Sequence, residues 1–271
     1  MDLQLRGKTA LVTGSSKGIG EAIASKLAAE HATVVVHGRD REKTQQVARD
    51  IVDAGGRAHA VCGDLTRDDE VEQLIAEARR LAGPIDILVN NAGGSGGGRE
   101  NWTDTQPASW LATYDRNVLA ALRMATRLLP AMRAAKWGRV INISSLAGAM
   151  PPPSSPDYSA SKAAINAMTA SMAKAAAPDG VTVNAISPGT IHSAALETRF
   201  RQEAAERQLA AHDAPWDEIE RAVLPLFAQV PMGRVGRLDD LANAVAFLAS
   251  PAAAYITGVN LRVDGGVFPG L

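Results

Sequence analysis

Short apolar runs alternate with longer amphipathic stretches along the first part of the chain. The runs Lys8–Thr13 and Thr33–His37 are mostly aliphatic or β-branched, as expected of strands buried on both faces of a parallel sheet. Each run is followed by a stretch of helical character, Gly18–Glu30 and Arg41–Ala54. This order of elements predicts a βαβ unit at the start of the chain.

The same alternation continues to the end of the sequence. Further strands are predicted at Arg57–Cys62, Ile85–Val89, Arg139–Ile143, Val181–Ile186 and Asn260–Val263, and helices at Asp68–Ala82, Pro107–Ala135 and Tyr158–Ala177. Seven parallel strands with helices on both faces make a doubly wound α/β sheet, the Rossmann fold, which binds ligands at the carboxyl ends of its strands. Because no linker interrupts the alternation, residues 1–271 are predicted to form one domain.

A helical lid is predicted at about residues 190–232, where two helices are separated at Pro215. Three charge pairs have the i,i+4 spacing of solvated helix faces: Glu197/Arg201, Glu203/Arg207 and Asp217/Arg221. The apolar positions are expected to face inward and to make the pocket beneath them largely apolar: Leu196, Phe200, Ile219, Val223, Leu226 and Phe227.

Composition and charge exclude several classes of function. The 271 residues carry a net charge of −1 without a basic stripe, so nucleic-acid binding is not expected. The single Cys62 cannot form an internal disulfide and fits a reducing compartment. The five His residues and this Cys lack metal-ligand spacing, so no metal site is expected. Without a leader or an apolar run of ~18 residues, the chain is expected to be cytoplasmic and to have no membrane contact.

A glycine-rich turn, Thr13–Gly20, lies directly between the first strand and its helix. Glycine permits a tight turn and close approach of a ligand to the backbone, and the helix N-terminus offers free N–H groups to a pyrophosphate. A plain loop is the alternative, but the position between strand and helix favours a dinucleotide site.

Tyr158 and Lys162 are four residues apart at the start of a predicted helix and therefore share one face. An ammonium about 5 Å from a phenol, at an effective dielectric of ~20, favours phenolate by roughly 3 kcal/mol, or ~2 pK units. We therefore expect the pKa of Tyr158 to be lowered toward neutrality, so that the phenol can exchange protons. Ser145, thirteen residues earlier, is placed to bind the same substrate oxygen.

Together these motifs resemble the short-chain dehydrogenase/reductase family, in its compact single-domain branch, over nearly the whole length. Thr13–Gly20 resembles the glycine motif of the family, Asn90–Gly93 its N-N-A-G, and Pro188-Gly189 its P-G after the sixth strand. Reductases of 3-oxoacyl-(acyl-carrier-protein) are well-known members of this size. Many carry a basic residue for carrier docking shortly before the sixth strand, where this chain has Pro178 and Asp179.

The resemblance implies a catalytic set of four residues: Asn117, Ser145, Tyr158 and Lys162. It implies that an NAD(P) cofactor is bound by Gly14, Ser16, Lys17, Gly18, Ile19, Gly20, Arg39, Asp64, Leu65, Asn90, Ala92, Gly93, Tyr158, Lys162, Pro188, Gly189 and Ile191. The implied reaction is hydride transfer between nicotinamide and a small-molecule ketone or secondary alcohol, with Tyr158 as general acid and base. The alternatives are an NAD-dependent alcohol dehydrogenase and a non-catalytic nucleotide-binding regulator.

Several of these implied roles have plain structural alternatives. Asp64, expected to bind the adenine amino group, has the capping of a helix as its alternative role, and Asn117 is suited to satisfy backbone groups as a buried amide. Asn90 is expected to line the adenosine side, whereas Asn91 is expected to tie strands together. Ser193 stands where the family pattern usually has Thr.

The residues after the second strand predict the choice of cofactor. NAD-selective proteins of this fold place a carboxylate there, whereas this chain has Gly38 and Arg39. Arg39 and Lys17 are suited to bind a 2′-phosphate, which predicts NADP(H). Asp40 is the competing feature, since a shift of one residue would place it at the ribose, and Lys17 alone is equally compatible with a solvated loop.

The surroundings of the site give the remaining expectations. The Gly-rich loop 94–106 contains Arg99 and Trp102, and Trp102 is either a substrate wall or a packing anchor. A proline-rich loop would present Met150 to the pocket, although stiffening alone explains its prolines. Helices 107–135 and 158–177, the second rich in Ala, are expected to pack against a partner subunit, and the resemblance implies a homotetramer.

Overall fold

The centre of the molecule is a parallel sheet with the strand order β3-β2-β1-β4-β5-β6-β7. A computed structural model provides the structure, and it describes residues 2–95 and 101–270. The strands are β1 Thr9–Val12, β2 Thr33–Gly38, β3 Arg57–Cys62, β4 Ile87–Asn90, β5 Gly138–Ile143, β6 Val181–Pro188 and β7 Asn260–Val263. All pairings are parallel, which confirms the predicted doubly wound α/β Rossmann fold.

Helices cover both faces of this sheet. They are α1 Gly18–Ala29, α2 Arg41–Asp53, α3 Asp68–Ala82, α4 Pro107–Tyr114, α5 Ala120–Ala134, α6 Pro156–Ala176, α7 Ala194–Glu206, α8 Trp216–Phe227 and α9 Leu238–Ala249. Side chains of α1, α2 and α9 share one core cluster with the sheet, and those of α3, α5 and α6 share the other. The central strands β1, β4, β5 and β6 are buried along their whole length, whereas the edge strands β3 and β7 are partly exposed.

The strand order reverses between β1 and β4, and this reversal positions the functional site. β1 pairs with β2 on one side and with β4 on the other, so the connections after these two strands run to opposite faces. Such a reversal leaves a crevice at the carboxyl ends of the strands, where doubly wound folds bind their ligands.

The predicted helix over residues 107–135 is interrupted, which corrects the sequence-based expectation. A π-helical turn, Asp115–Leu119, separates α4 from α5, and the N–H of Ala120 donates to the carbonyl of Asp115 five residues back. Turns of this kind occur frequently at functional sites. Asn117, one of the expected catalytic residues, lies within this turn.

The described residues include no helix that is long and apolar enough to cross a membrane. In the same part of the chain, no group of three or more His, Cys, Asp or Glu residues is arranged to hold a metal ion. The cytoplasmic location and the single domain stay predictions.

Candidate active site

The glycine-rich turn approaches the end of β4 so closely that only glycine fits. Gly14 has a φ of +62°, and a Cβ there would lie 2.9 Å from the Cα of Ala92. A Cβ on Gly20 would lie 2.4 Å from the carbonyl oxygen of Gly14. No side chain caps α1, whose N-cap is Lys17, so its first N–H groups are available to an anion. The turn therefore suits the pyrophosphate of a dinucleotide.

A cleft of about 520 Å³ opens beside this turn. Its lining comes from the ends of β1 to β4 and from the region around the π-helical turn: Gly14, Ser16, Lys17, His37, Gly38, Arg39, Gly63, Asp64, Leu65, Thr66, Asn91, Ala92, Gly93, Ala112, Asp115, Arg116 and Ala120. Eight of the expected cofactor residues lie in this lining: Gly14, Ser16, Lys17, Arg39, Asp64, Leu65, Ala92 and Gly93. This set of residues suits the adenosine and pyrophosphate of a nicotinamide dinucleotide.

Two exposed cations, Lys17 and Arg39, line the cleft and take part in no ion pair among the described residues. Asp40, the competing carboxylate, instead caps α2: its Oδ1 accepts the N–H of Lys43 at 3.2 Å, and Oδ2 pairs with the Lys43 ammonium at 3.4 Å. Because these contacts hold Asp40 at the start of α2, a shift of the chain by one residue, which would bring Asp40 to the ribose, is disfavoured.

Asp64 lies in the cleft but does not cap the following helix, whose N-cap is Arg67. Its Oδ1 accepts from the N–H of Thr66 at 2.9 Å and from the Thr66 hydroxyl at 2.8 Å. These hydrogen bonds lower the pKa of Asp64, so the side chain is a carboxylate that can accept a hydrogen bond from an amino group.

Asn90, the last residue of β4, and Asn91, directly after it, both tie the ends of neighbouring strands together. Asn90 is buried and its amide donates to Oδ1 of Asn142 on β5 at 2.9 Å, so Asn90 ties strands together and lies outside the cleft lining. Asn91 lines the cleft, and its amide donates to the carbonyls of Thr13 and Gly14 at 3.0 and 2.9 Å. The expectation that Asn91 ties strands together is therefore confirmed, and cofactor contact by Asn90 stays a prediction.

Tyr158 and Ser145 come together at the carboxyl edge of β5. Both residues are half-buried, and the side chains lie close enough for the Ser145 hydroxyl to affect the protonation of the phenol. Burial raises the pKa of the Tyr158 phenol, and the interaction with Ser145 opposes that rise. The expected lowering of the pKa is therefore wrong for this structure, because desolvation outweighs the effect of a cation 5.7 Å from the ring centroid.

Lys162 lies on the first turns of α6 and is 5% exposed. Its ammonium donates to the carbonyl of Ile143 at 2.8 Å, and burial lowers its pKa to about 8. The side chain thus carries most of its charge at neutral pH, yet it is poised to lose that charge in mild alkali. Ser144 fixes the same helix, because its hydroxyl donates to the Lys162 carbonyl at 3.1 Å.

Asn117 is buried, and its amide is fully engaged. Oδ1 accepts the N–H of Gly94 at 2.7 Å, and Nδ2 donates to the Gly94 carbonyl at 3.2 Å and to the Ser161 hydroxyl at 3.0 Å. The Ser161 hydroxyl in turn donates to the carbonyl of Tyr158 at 2.7 Å. The interpretation of Asn117 as a satisfied buried amide is confirmed, and this side chain links the loop after β4 to the helix that carries Tyr158.

The other expected cofactor residues lie outside the lining of this cleft. Gly18, Ile19 and Gly20 form the first turn of α1. Gly189, after Pro188, donates its N–H to the Val263 carbonyl at 3.0 Å, and Ile191 pairs with Gly236 and packs on the main core. Ser193 caps α7 by accepting the N–H of Leu196 at 3.2 Å. Cofactor contacts by Pro188, Gly189 and Ile191 stay predictions.

The lid consists of α7 and α8, separated at Pro215 as predicted. Phe200, Ile219 and Val223 are buried, but they pack against one another in a small cluster of their own. Phe227, in the last turn of α8, is 38% exposed, but its ring packs against Phe200 with the ring centroids 5.3 Å apart. Leu226 is 56% exposed, so the expected inward orientation is wrong for this residue. Because the buried side chains pack against one another, they do not by themselves make the pocket apolar.

The remaining loop expectations have mixed outcomes. The ion pairs Glu197–Arg201 and Glu203–Arg207 form at 2.7 and 2.5 Å, as predicted. Trp102 is 69% exposed and lies 6.0 Å from Trp110 between ring centroids. Met150 is exposed as well, whereas Arg99 lies outside the described residues.

Sequence reasoning missed several residues of the cleft. His37 ends an apolar run and was assigned only to the buried strand. A polar side chain at the carboxyl end of a strand could have indicated a residue of the cleft. Asp115 and Arg116 reach the cleft from the π-helical turn, which an ordinary helical pattern does not reveal.

Comparisons with known proteins agree with this geometry. The model of the short chain dehydrogenase family matches residues 8–204. The chain is 37% identical over 267 residues to the 3-oxoacyl-(acyl-carrier-protein) reductase FabG of Vibrio cholerae, covering 98% of this chain and 99% of the relative. L-sorbose reductase from Gluconobacter frateurii, solved with NADPH and L-sorbose, matches with a TM-score of 0.91 and 32% identity over 100% of both chains. A 7α-hydroxysteroid dehydrogenase, solved with NADH and 7-oxo glycochenodeoxycholic acid, matches with a TM-score of 0.84 and 31% identity over 100% of this chain and 98% of that one.

These findings establish the reaction class. The protein is an oxidoreductase that acts on CH–OH or C=O groups with a nicotinamide cofactor. The fold, the glycine turn and the relatives over nearly the whole length all agree. The chain belongs to the short-chain dehydrogenase family.

Proposed function

We propose that the protein is an NADP(H)-dependent carbonyl reductase or secondary-alcohol dehydrogenase in which Tyr158 is the general acid and base. The observation that carries this proposal is that the Tyr158 phenol lies beside the Ser145 side chain, with the buried Lys162 ammonium 5.7 Å from the phenol ring centroid. Two hydroxyls at one point suit a carbonyl oxygen that becomes an alcohol.

The residues would divide the chemistry as follows. The nicotinamide, when bound, supplies the hydride that adds to the carbonyl carbon. Ser145 and Tyr158 bind the carbonyl oxygen, and the Tyr158 phenol gives it a proton as the C–O π electrons become a lone pair. The raised pKa keeps this phenol protonated at neutral pH, as an acid requires. Lys162 stabilises the phenolate, and oxidation of an alcohol reverses each step.

A proton must then return to Tyr158. We infer that Asn117 supports a water-mediated path to the Lys162 ammonium, because it lies in the π-helical turn beside Gly93, close to that ammonium. Its amide is already bonded to Gly94 and Ser161. Its contribution would therefore be to position the local backbone rather than to bind water through the side chain.

The proposal of NADP(H) rather than NAD(H) rests on Lys17 and Arg39. Both lie in the cleft without an ion-pair partner among the described residues, whereas the only carboxylate next to them in sequence, Asp40, caps α2. The L-sorbose reductase was solved with NADPH and the hydroxysteroid dehydrogenase with NADH, so the family alone does not decide.

We infer a free small-molecule substrate rather than a carrier-linked one. Asp179, where many carrier-using relatives have a basic residue, forms ion pairs with Arg133 at 2.5 Å and with Lys136. The single carboxylate offsets one of these two positive charges, so the patch attracts an acidic carrier protein less strongly than it would with a basic residue at this position. Because the chain is 37% identical to a 3-oxoacyl-(acyl-carrier-protein) reductase, the test of this inference includes carrier-linked substrates.

We also propose a homotetramer. Helix α6 is Ala-rich, and the neighbouring α4 and α5 expose the apolar side chains Leu111, Tyr114 and Leu122. Exposed apolar side chains on adjacent helices are suited to a two-fold interface. The prediction that helices 107–135 and 158–177 form this interface is thereby supported.

The test is NADPH oxidation, followed by absorbance, with a panel of ketones, sugars and quinones as substrates and with carrier-linked 3-oxoacyl groups alongside. Reduction of at least one free ketone is expected, and the alcohol product should form in a 1:1 ratio with NADP⁺. A non-catalytic regulator would bind NADPH and turn over none of them. Preference for NADH with an alcohol as the better substrate would favour the NAD-dependent dehydrogenase.

A further inference from the structure

His37 is a buried imidazole between two of the loops that form the cleft. It lies near the end of β2 and is 2% exposed. Its Nδ1 is 3.1 Å from the backbone nitrogen of Gly14, and its Nε2 is 3.1 Å from the carbonyl oxygen of Gly63. One side chain on β2 therefore joins the turn after β1 to the segment after β3.

These contacts define the tautomer of the ring. A backbone N–H only donates, so Nδ1 must be the acceptor and Nε2 must carry the hydrogen that it donates to Gly63. Burial lowers the pKa of His37 to about 4, which keeps the ring neutral near neutral pH. A protonated ring would lose its bond to Gly14.

The fold itself does not require these two bonds. β2 is paired along its length with β1 and β3 through the backbone. The His37 N–H also donates to the Ser15 hydroxyl at 2.9 Å, and the Ser15 N–H donates to the His37 carbonyl at 2.8 Å. The imidazole adds two bonds that reach only the loops, so its effect is concentrated at the cleft.

Both loops supply residues expected to hold opposite parts of one ligand. Gly14 begins the turn suited to the pyrophosphate, and Gly63 directly precedes Asp64, which is suited to the adenine amino group. Arg39, two residues after His37, faces the same cleft. The separation between these groups depends on the side chain that bridges the loops.

We propose that His37 is a positioning residue for the adenosine half of the cofactor, and that its imidazole sets the spacing between the glycine turn and the Asp64 loop. The inference rests on the proposed function, because it concerns the same cleft. It adds that one uncharged side chain, away from the reacting atoms, determines how well the dinucleotide binds.

Three variants separate the two bonds. His37→Leu removes both, His37→Asn keeps an acceptor close to the place of Nδ1, and His37→Gln keeps a donor close to the place of Nε2. His59→Leu is the matched control, because His59 lies on the neighbouring strand β3, opposite Val35, and outside the cleft lining. All four keep the backbone pairing of the sheet.

Affinities for NADPH and for adenosine 2′,5′-bisphosphate would be measured by calorimetry, together with melting temperatures and with kcat at saturating NADPH on the best ketone. His37→Leu should weaken both nucleotides by at least about fivefold, since it leaves one donor and one acceptor without partners. His37→Asn and His37→Gln should each recover part of that loss. The kcat should change by less than about twofold, because Tyr158 and Ser145 lie on other elements.

Unchanged affinity in His37→Leu would overturn the proposal, and so would a lower melting temperature with unchanged affinity, which would show a merely structural role. An equal loss of nucleotide affinity in His59→Leu would also overturn the proposal. If His37→Leu does not fold, the Asn and Gln variants decide the question by the same comparison. A wild-type protein that binds neither nucleotide would refute the proposed function and this inference with it.

Discussion

Replacing Arg39 by Ser should remove most of the preference for NADPH. At about 5 Å, a cation and one phosphate charge attract each other by ~1 kcal/mol in bulk water and ~3 kcal/mol at an effective dielectric of 20. Because Arg39 is exposed, this attraction energy lies toward the lower end of the range. The planar guanidinium group adds charge-assisted hydrogen bonds to the phosphate. We therefore expect kcat/KM for NADPH to fall by about ten- to a hundredfold, with NADH changed by less than about threefold.

The structure also decides which substitution can reverse the preference. A carboxylate at Gly38 is excluded by sterics, because a Cβ there would lie 2.5 Å from the Thr44 hydroxyl and 2.8 Å from Ser16. Arg39→Asp avoids this clash and should favour NADH. Arg41→Ser is the matched control, since Arg41 is exposed but lines a separate cavity with Cys62.

The assay is steady-state kinetics with both cofactors at low and at high salt. The NADPH advantage of the wild type should shrink as salt rises, because the Debye length falls to about 3 Å at 1 M. The Arg39→Ser variant should show little salt dependence of the ratio. An unchanged NADPH-to-NADH ratio in Arg39→Ser, or an equal loss in Arg41→Ser, would refute the assignment of Arg39 to the phosphate.

Three further predictions concern pH and assembly. Reductive kcat/KM should fall above about pH 8 as the Tyr158–Lys162 pair loses a proton, and a rate that stays level to pH 10 would contradict this role. Because the pKa of His37 is lowered to about 4, its contribution to the free energy of unfolding is complete above pH 6.5 and is lost progressively as the pH falls toward 4, by up to roughly 3 kcal/mol. His37→Asn should flatten that part of the plot of unfolding free energy against pH. Parallel plots for the variant and the wild type would exclude the effect. Sedimentation at micromolar concentration should show a tetramer that Leu111→Glu dissociates, whereas a wild-type monomer would exclude the proposed interface.

Much of the fold follows directly from the sequence because buried parallel strands are short, continuous apolar runs. The Val-rich β2 and the alternation around it predict the sheet without any knowledge of packing. The interruption of the helix at Asp115–Leu119 is different, since a π-helical turn depends on tertiary contacts such as those of Asn117 with Gly94 and Ser161. No local pattern in that segment distinguishes it from α-helix.

The site was predictable where a motif fixes the position and less so where orientation matters. Tyr158, Ser145 and Lys162 come together as expected because helix spacing sets two of them and the end of β5 sets the third. The strand-tying role of Asn91 is confirmed, whereas the bond from Asn90 to Asn142 could not be predicted because it depends on which strand packs beside β4. The pKa of Tyr158 shifted opposite to expectation because burial is a property of the folded chain and not of spacing.

The central claim is that Tyr158 gives the proton in an NADPH-dependent carbonyl reduction, and one measurement tests it most directly. The kcat of Tyr158→Phe would be compared with that of wild type on the best ketone, with NADPH affinity measured on the same preparations and with Tyr255→Phe, an exposed tyrosine, as control. The account predicts a fall of about 10²–10⁴-fold in kcat with NADPH affinity unchanged, and no effect in the control. A Phe variant that retains more than about a tenth of the wild-type rate would contradict it.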